Sequence, residues 1–361
     1  MSQWLSRLER LARHLTIGLL YLGVAHAVFT CYAVDPPTDS DPRFTFEKMI
    51  SGEADRPFAY RTLVPWVVRQ GSRVLTPEVF RLYEKYRWPE KIDAELRHVR
   101  LERSLVREWT VFSWLCTGLF ALFGLSLHGL IRHVYALDVM RSHACSLVAM
   151  SLVTLFFDKY NQTYDPASLA LFPLATLMFV QGRLVAYYLV LCLAILNKET
   201  ALLLPCLFGV WFWGRWPLRF VASHIAVQLS LYLGLTLAVR ALFQENPGEF
   251  LERQFLSNLA YASTPSIHLL LVVLKLSGMA MLVSSGWSRK PEPLRRGLLL
   301  VLALLGPLWL LFGRLQEIRV FYEAWFLICL LALPAFFGLS GEPRREQSQA
   351  ADPAGNGLQS L

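Results

Sequence analysis

Apolar residues gather into ten runs, at positions 15–34, 109–131, 144–157, 166–180, 184–196, 199–213, 220–243, 267–285, 297–313 and 320–338. Apolar stretches of roughly 17–25 residues span a bilayer as helices, and the longer runs reach that length. The shorter ones do not. A helix over 184–196 rises only about 20 Å, against a hydrocarbon core of about 30 Å. Such segments are expected to be lengthened by flanking residues, or to be half-spans buried among other helices. The pattern predicts an all-α, polytopic transmembrane helix bundle of about ten membrane segments. Residues 1–338 form its one domain, and no internal repeat is visible.

The stretch 184–213 reads either as one long helix or as two short ones meeting at Asn197-Lys198-Glu199. Loop charge decides, because Lys and Arg accumulate on the cytoplasmic side. With two helices, the short loops on the N-terminal side hold Arg7, Arg10, Arg13, Arg132, Arg141, Arg183, Arg215, Arg219, Arg289, Lys290, Arg295, Arg296, Arg344 and Arg345. With one helix, those from Arg215 onward change sides. Ten segments with both termini cytoplasmic is therefore the expected topology. Residues 35–108 then form a long external loop, which ends in a charged stretch from Arg81 to Arg107. Val64, Val67, Val68 and Val74 recur near helical spacing within it, as in an amphipathic helix lying in the membrane interface. Residues 339–361 are polar, with Pro, Gly, Gln and Ser, and read as a disordered cytoplasmic tail.

Composition agrees. The chain of 361 residues is 55% hydrophobic and 17% charged, against about 25% charged in soluble domains. That balance excludes a disordered chain and argues against a water-soluble globule. Lys and Arg exceed Asp and Glu by 35 to 27, for a net charge of +8. The basic residues flank apolar runs and no basic tract interleaves with aromatics, so the expected partner is the anionic lipid headgroup and not nucleic acid. The six cysteines lie in or beside apolar runs without a CxxC or Cys/His cluster, and read as free thiols. Arg7, Arg10 and Arg13 followed by Ala25-His26-Ala27 mimic a signal peptide, but the apolar run continues to Val34, as in an uncleaved first span.

The predicted topology sorts the polar residues. The external side collects Asp35, Asp39, Asp41, Asp158, Asp165, Glu199, Glu245, Glu249, Glu252 and Glu317, joined by Arg61, Lys198 and Arg319. Ionisable groups near membrane depth are costly and are commonly functional, so an external site of several carboxylates and a few cations is the main inference. Each residue also has a plainer role. Asp165 before Pro166 has the form of a helix cap. Asp158 closes its span at the helix end that disfavours an anion, with Lys159 as a possible partner. Asn197 can cap the following helix, and Glu317 with Arg319 can be an interfacial anchor pair. His26 and His128 read as helix-packing residues, and the Asn161-Gln162-Thr163 sequon as a chance triplet. Asp35, Asp39 and Asp41 either solvate the loop or supply a general base beside the membrane. Arg61 sits in Pro57-Phe58-Ala59-Tyr60-Arg61-Thr62-Leu63-Val64-Pro65. Prolines and apolar anchors hold it, and a guanidinium suits bidentate binding of phosphate.

These residues resemble a family. The long first external loop with acidic residues is similar to that of integral-membrane glycosyltransferases of the GT-C class. The Pro57–Pro65 segment, Asn197-Lys198-Glu199-Thr200 and Glu317-Ile318-Arg319 resemble segments of bacterial polytopic membrane proteins grouped with that class. The resemblance runs from about residue 15 to 338. It departs in one respect: the class often carries adjacent acidic residues in this loop, whereas the three aspartates here are separated. The resemblance implies an inverting transferase in the bacterial inner membrane. It would move a sugar from a polyprenyl-phosphate donor to a glycan, lipid or protein acceptor of the cell envelope, on the outer face. One of Asp35, Asp39 or Asp41 would be the base. Arg61, Lys198 and Arg319 would hold the donor phosphate. Asp158, Asp165, Glu199 and Glu317 would bind substrate, and Asp158 and Glu199 could hold an optional divalent cation, Mg or Mn. Two other readings stand beside it. A transporter or flippase of lipid-linked sugars would place ionisable residues in mid-span and show repeat symmetry. A structural subunit would have no reason to gather carboxylates and arginines on one side.

Overall fold

A computed structural model describes residues 2–33, 41–86, 96–99, 101–135, 137–157, 161–249, 254–264, 266–315 and 317–337. Among these residues the protein is all helical, with no strand. In chain order the helices are α1 (Ser2–Ala33), α2 (Phe46–Ser51), α3 (Leu63–Val74), α4 (Pro77–Tyr86), α5 (Val106–Tyr135), α6 (Val139–Leu152) and α7 (Asp165–Val180). They continue with α8 (Leu184–Asn197), α9 (Leu203–Phe212), α10 (Leu218–Leu242), α11 (Phe255–Ala262), α12 (Ile267–Ser284), α13 (Glu292–Phe312) and α14 (Tyr322–Phe337).

Within the described residues each predicted apolar run falls mostly on helix, but helix length alone does not confirm the expected count of about ten spans. Among the described residues five helical stretches are long and apolar enough to cross a membrane: Ser6–Ala33, Arg103–Tyr135, Val139–Phe156, Leu218–Leu242 and Glu292–Phe312. Asp165–Val180, Leu184–Asn197, Glu199–Phe212 and Leu269–Ser284 are apolar but shorter. Among the shorter helices, α7 is buried along nearly its whole length. On α7 apolar residues surround the axis on every side, a pattern that fits only a helix enclosed by others. It packs against α5, α8, α9 and α14, and Leu169, Ala170, Phe172, Ala175 and Phe179 are all buried. Close approach to α5 depends on Gly129, where a Cβ would stand 2.7 Å from the Leu177 side chain. The outer helices instead turn leucines outward: Leu229, Leu233 and Leu237 on α10, Leu270, Leu271 and Leu274 on α12, and Val185, Leu189 and Leu193 on α8 are exposed. Contiguous apolar stripes of this kind suit contact with lipid chains.

Residues 184–213 form two helices, as the loop charges predict. Lys198 takes an extended conformation, φ −164° and ψ 144°, which ends α8, and a 3-10 turn over Glu199–Leu202 starts α9. Tyr187 near the start of α8 stacks on Phe208 near the end of α9, ring centroids 5.6 Å apart, so the chain reverses at Lys198.

The first loop is more structured than the interfacial helix expected of it. On α3 Val64 and Val68 are buried while Val74 is exposed. The buried face packs on α5, with Gly71 against Val111. The six cysteines are free. Asn161 is buried, and its side-chain oxygen accepts from the Tyr322 hydroxyl, which leaves the sequon without access to solvent. His128 packs as expected, its ring stacked 3.8 Å from that of His143. Asp35, Asp39, Asp158, Lys159, Glu252 and the tail over 339–361 lie outside the described residues.

Candidate functional site

The site forms where the first loop meets the ends of α7, α8 and α14. Backbone contacts lock the loop in place. Thr62 N–H donates to Leu196 O at 2.9 Å, which ties the loop to the last turn of α8. Asn246 Nδ2 donates to Gly52 O and Ala54 O at 2.9 and 2.8 Å, and Arg56 N–H donates to Pro247 O at 2.8 Å. Gly248, at φ 95°, allows this approach: a Cβ there would lie 2.7 Å from Arg56 O. Phe44 and Phe58 stack at 3.8 Å and close over Tyr164. Arg61 is thereby carried over the start of α7.

Tyr164 is the centre. It is fully buried, and its hydroxyl receives hydrogen bonds from Arg61 Nη1 and, at 3.2 Å, from Arg319 Nη1. The Arg61 guanidinium carbon stands 4.2 Å from the Tyr164 ring centre and 5.2 Å from that of Phe58. Lys198 Nζ is 5.9 Å from the same Tyr164 ring. Three cations thus face one aromatic ring or its hydroxyl, an arrangement favoured by the negative ring face.

Carboxylates balance these cations. Lys198 Nζ lies 2.6 Å from Glu323 Oε1, which also accepts from Thr200 Oγ1 at 2.6 Å. Arg319 reaches Glu317 Oε2 at 3.0 Å and Asp165 Oδ1 at 3.6 Å. Asp165 Oδ2 accepts from Gln162 N–H at 2.7 Å. Asp165 therefore belongs to the first turn of α7 and bonds back to the preceding loop. Asn197 holds α8 to α7 through bonds from its Nδ2 to Tyr164 O and Ser168 Oγ, at 3.1 and 3.0 Å, in place of the expected cap. The break at Lys198 explains how neighbouring residues serve two partners. Extended backbone sends successive side chains to opposite sides, so Lys198 turns inward to Glu323 while Glu199 faces Arg61. That last contact is loose: Arg61 Nε is 3.6 Å from Glu199 Oε2. The buried Arg61 Nε–H meets no hydrogen-bond acceptor, and the buried Glu323 Oε2 meets no donor.

Of the residues expected at the site, the structure brings together Arg61, Asp165, Lys198, Glu199, Glu317 and Arg319. Asp41 stands at the rim. Arg43 grips it through Nε at 2.8 Å and Nη2 at 2.5 Å. These side-chain hydrogen bonds hold the Asp41 carboxyl below its usual range, and the charge of Arg314 adds to the effect. Arg314 in turn stands 4.0 Å from Glu317. Sequence reasoning passed over Tyr164 and Glu323, and named Thr200 only as the end of the Asn197–Thr200 segment. A signal for Glu323 was present, since it is a carboxylate inside the tenth apolar run. Tyr164 carried none, being one aromatic among many. Among the described residues no group of three or more His, Cys, Asp or Glu side chains could hold a metal ion; of the pair considered for an optional divalent cation, Asp158 lies outside them. Comparisons with family models, with curated proteins and with solved structures find no match to the chain.

Proposed function

We propose that the protein is a membrane glycosyltransferase similar to the GT-C class, which moves a sugar from a polyprenyl phosphate to an acceptor hydroxyl of the cell envelope. The observation that carries this reading is the buried Arg61 Nε–H without an acceptor, beside a guanidinium already facing Tyr164, Phe58 and Glu199. Such a donor suits a phosphate oxygen, which a guanidinium can bind through two parallel bonds. The acceptor hydroxyl attacks the anomeric carbon and gives its proton to a carboxylate of the first loop. The bond from that carbon to the phosphate oxygen breaks, and the configuration inverts. Negative charge grows on the departing lipid phosphate, where Arg61 stabilises it and Lys198 and Arg319 add field.

Within this reading Asp35 or Asp39 is the base. Asp41 is committed to Arg43 and has a lowered proton affinity, which makes it a weaker base. Glu199, partly exposed beside Arg61, is placed to accept from sugar hydroxyls. Asp165, Glu317 and Glu323 keep the cations oriented. The membrane is the bacterial inner membrane, crossed ten times with the site outward and both termini cytoplasmic. Two features support that arrangement: the basic loops, and the reversal of the chain between α8 and α9. Mass spectrometry of envelope glycans and glycolipids, with and without the gene, tests the reading. One sugar-bearing species should disappear while its lipid-phosphate sugar accumulates. An unchanged profile would contradict it. A flippase would instead leave the transferase step active in lysed membranes supplied with donor.

A further inference from the structure

A second feature lies on the membrane flank of the bundle, among α6, α12 and α14. A groove of about 300 Å³ opens there, lined by Leu152, Phe156, Lys275, Gly278, Trp325 and Cys329 among others. The volume is at the low end of known small-molecule sites and the walls are almost wholly apolar, which suits a hydrocarbon chain better than a polar substrate. Two groups break the apolar lining. Lys275 lies midway along the apolar α12, and no carboxylate pairs with it among the described residues; its Nζ is 5.8 Å from the Phe156 ring centre. The Trp325 indole is buried, its ring is 4.5 Å from that of Phe156, and its Nε1–H has no acceptor. A Lys placed centrally in a membrane helix is costly to insert, and so is a buried donor left without an acceptor. An occupant with one negatively charged, oxygen-rich group and an apolar tail satisfies both donors and fills the groove.

We infer that this groove binds an anionic phospholipid of the bilayer, with its phosphate near Lys275 and Trp325 and one acyl chain running along α14 toward Cys329. The groove shares no lining residue with the Arg61 site, so the inference does not rest on the proposed transferase activity. Basic pockets between membrane helices are a general means of holding acidic lipid headgroups. Gly278 lines the groove, and a Cβ there would meet nothing within 4 Å, so a side chain at this position starts in open space.

The test uses the full-length protein, purified in mild detergent after exchange through nanodiscs of equal phosphatidylglycerol and phosphatidylcholine, with retained lipid measured by native mass spectrometry. The wild type should hold one lipid per chain, enriched at least fivefold in phosphatidylglycerol. Lys275→Met should lose that enrichment while still retaining lipid. Gly278→Phe should lose retained lipid of both kinds, with an unchanged circular dichroism spectrum and elution volume as evidence of folding. Trp325→Phe keeps the ring and removes the donor, and should reduce enrichment in part. Equal enrichment in wild type and Lys275→Met would overturn the inference. So would lipid retention undiminished in Gly278→Phe, or a polyprenyl phosphate co-purifying from cells in place of the phospholipid.

Discussion

The two ends of the bundle use charge in different ways. At the end away from the first loop, Arg13–Glu9, Arg141–Asp138 and Arg296–Glu292 are exposed pairs three or four residues apart on one helix. At the first-loop end, Lys198 and Glu323 pair 125 residues apart, and Arg319 meets Asp165 from another element, all of them buried. Exposed pairs are worth about 0–1 kcal/mol, because water screens them and long side chains lose freedom. Buried pairs seldom stabilise a fold over apolar equivalents, yet removal of one partner strands a charge. Among the described residues such buried long-range pairs gather at the first-loop end, where charge is kept at a cost to stability. The difference is thus the main physical support for a site at this end.

The largest effect should come from the first-loop aspartates. An Asp→Asn change keeps size but removes the basic lone pair and the charge. At Asp35 or Asp39 one such variant should lower transfer by about 10²–10⁴-fold, measured on purified protein with a polyprenyl-phosphate sugar, and leave expression unchanged. Asp41→Asn should retain most activity. Full activity in all three variants would move the base elsewhere and weaken the resemblance to GT-C enzymes.

Next is the Lys198–Glu323 pair. Lys198→Met or Glu323→Gln alone should destabilise the protein by about 3–5 kcal/mol, since each leaves a buried charge without its partner. The double variant should lose much less than the sum, as read from unfolding in mixed micelles. Additive losses would mean that the two groups act independently.

At the opposite end, Glu292→Gln or Asp138→Asn should change stability by no more than about 1 kcal/mol. A loss as large as that for Glu323 would erase the contrast. Asp138 is the more sensitive, because its side chain also caps α6 by accepting from Arg141 N–H at 2.9 Å.

The smallest effect concerns pH. Arg43 holds the Asp41 carboxyl below its ordinary value of 3.8. A carboxyl with a depressed folded value contributes stability above its unfolded value and loses it as pH falls through the folded one. Arg43→Gln should therefore cost up to about 1 kcal/mol near neutral pH, and the gap to wild type should close as the pH drops below 3.8. A gap that stays constant down to the acid limit would show that Arg43 acts through packing alone.

The same contrast marks what could be read from the sequence. Helices followed from apolar runs, because periodicity is local. The reversal at Lys198 followed from loop charge, which is a sum over short segments. The grouping of Arg61, Asp165, Lys198, Glu199, Glu317 and Arg319 on one side followed from the same bookkeeping. Pairing within the group did not. That Lys198 takes Glu323 while Glu199 faces Arg61 depends on one extended residue and on where α14 begins, and no spacing encodes either. Tyr164 was invisible for a related reason: its role arises from the arginines that reach it across 103 and 155 residues. The number of spans was not legible from run length, which tells little about a helix such as α7 that other helices enclose.

The central claim is that Arg61 receives the phosphate of a lipid-linked donor. Its most direct test is binding of polyprenyl phosphate, without sugar, to the purified protein in nanodiscs, comparing wild type with Arg61→Lys. Lysine keeps the charge and loses the planar pair of donors. The account predicts saturable binding by the wild type and roughly ten- to hundredfold weaker binding by the variant, as expected for loss of a charged hydrogen bond of about 1.5–3 kcal/mol, with both proteins equally folded. Equal affinities, or no binding to the folded wild type, would contradict it.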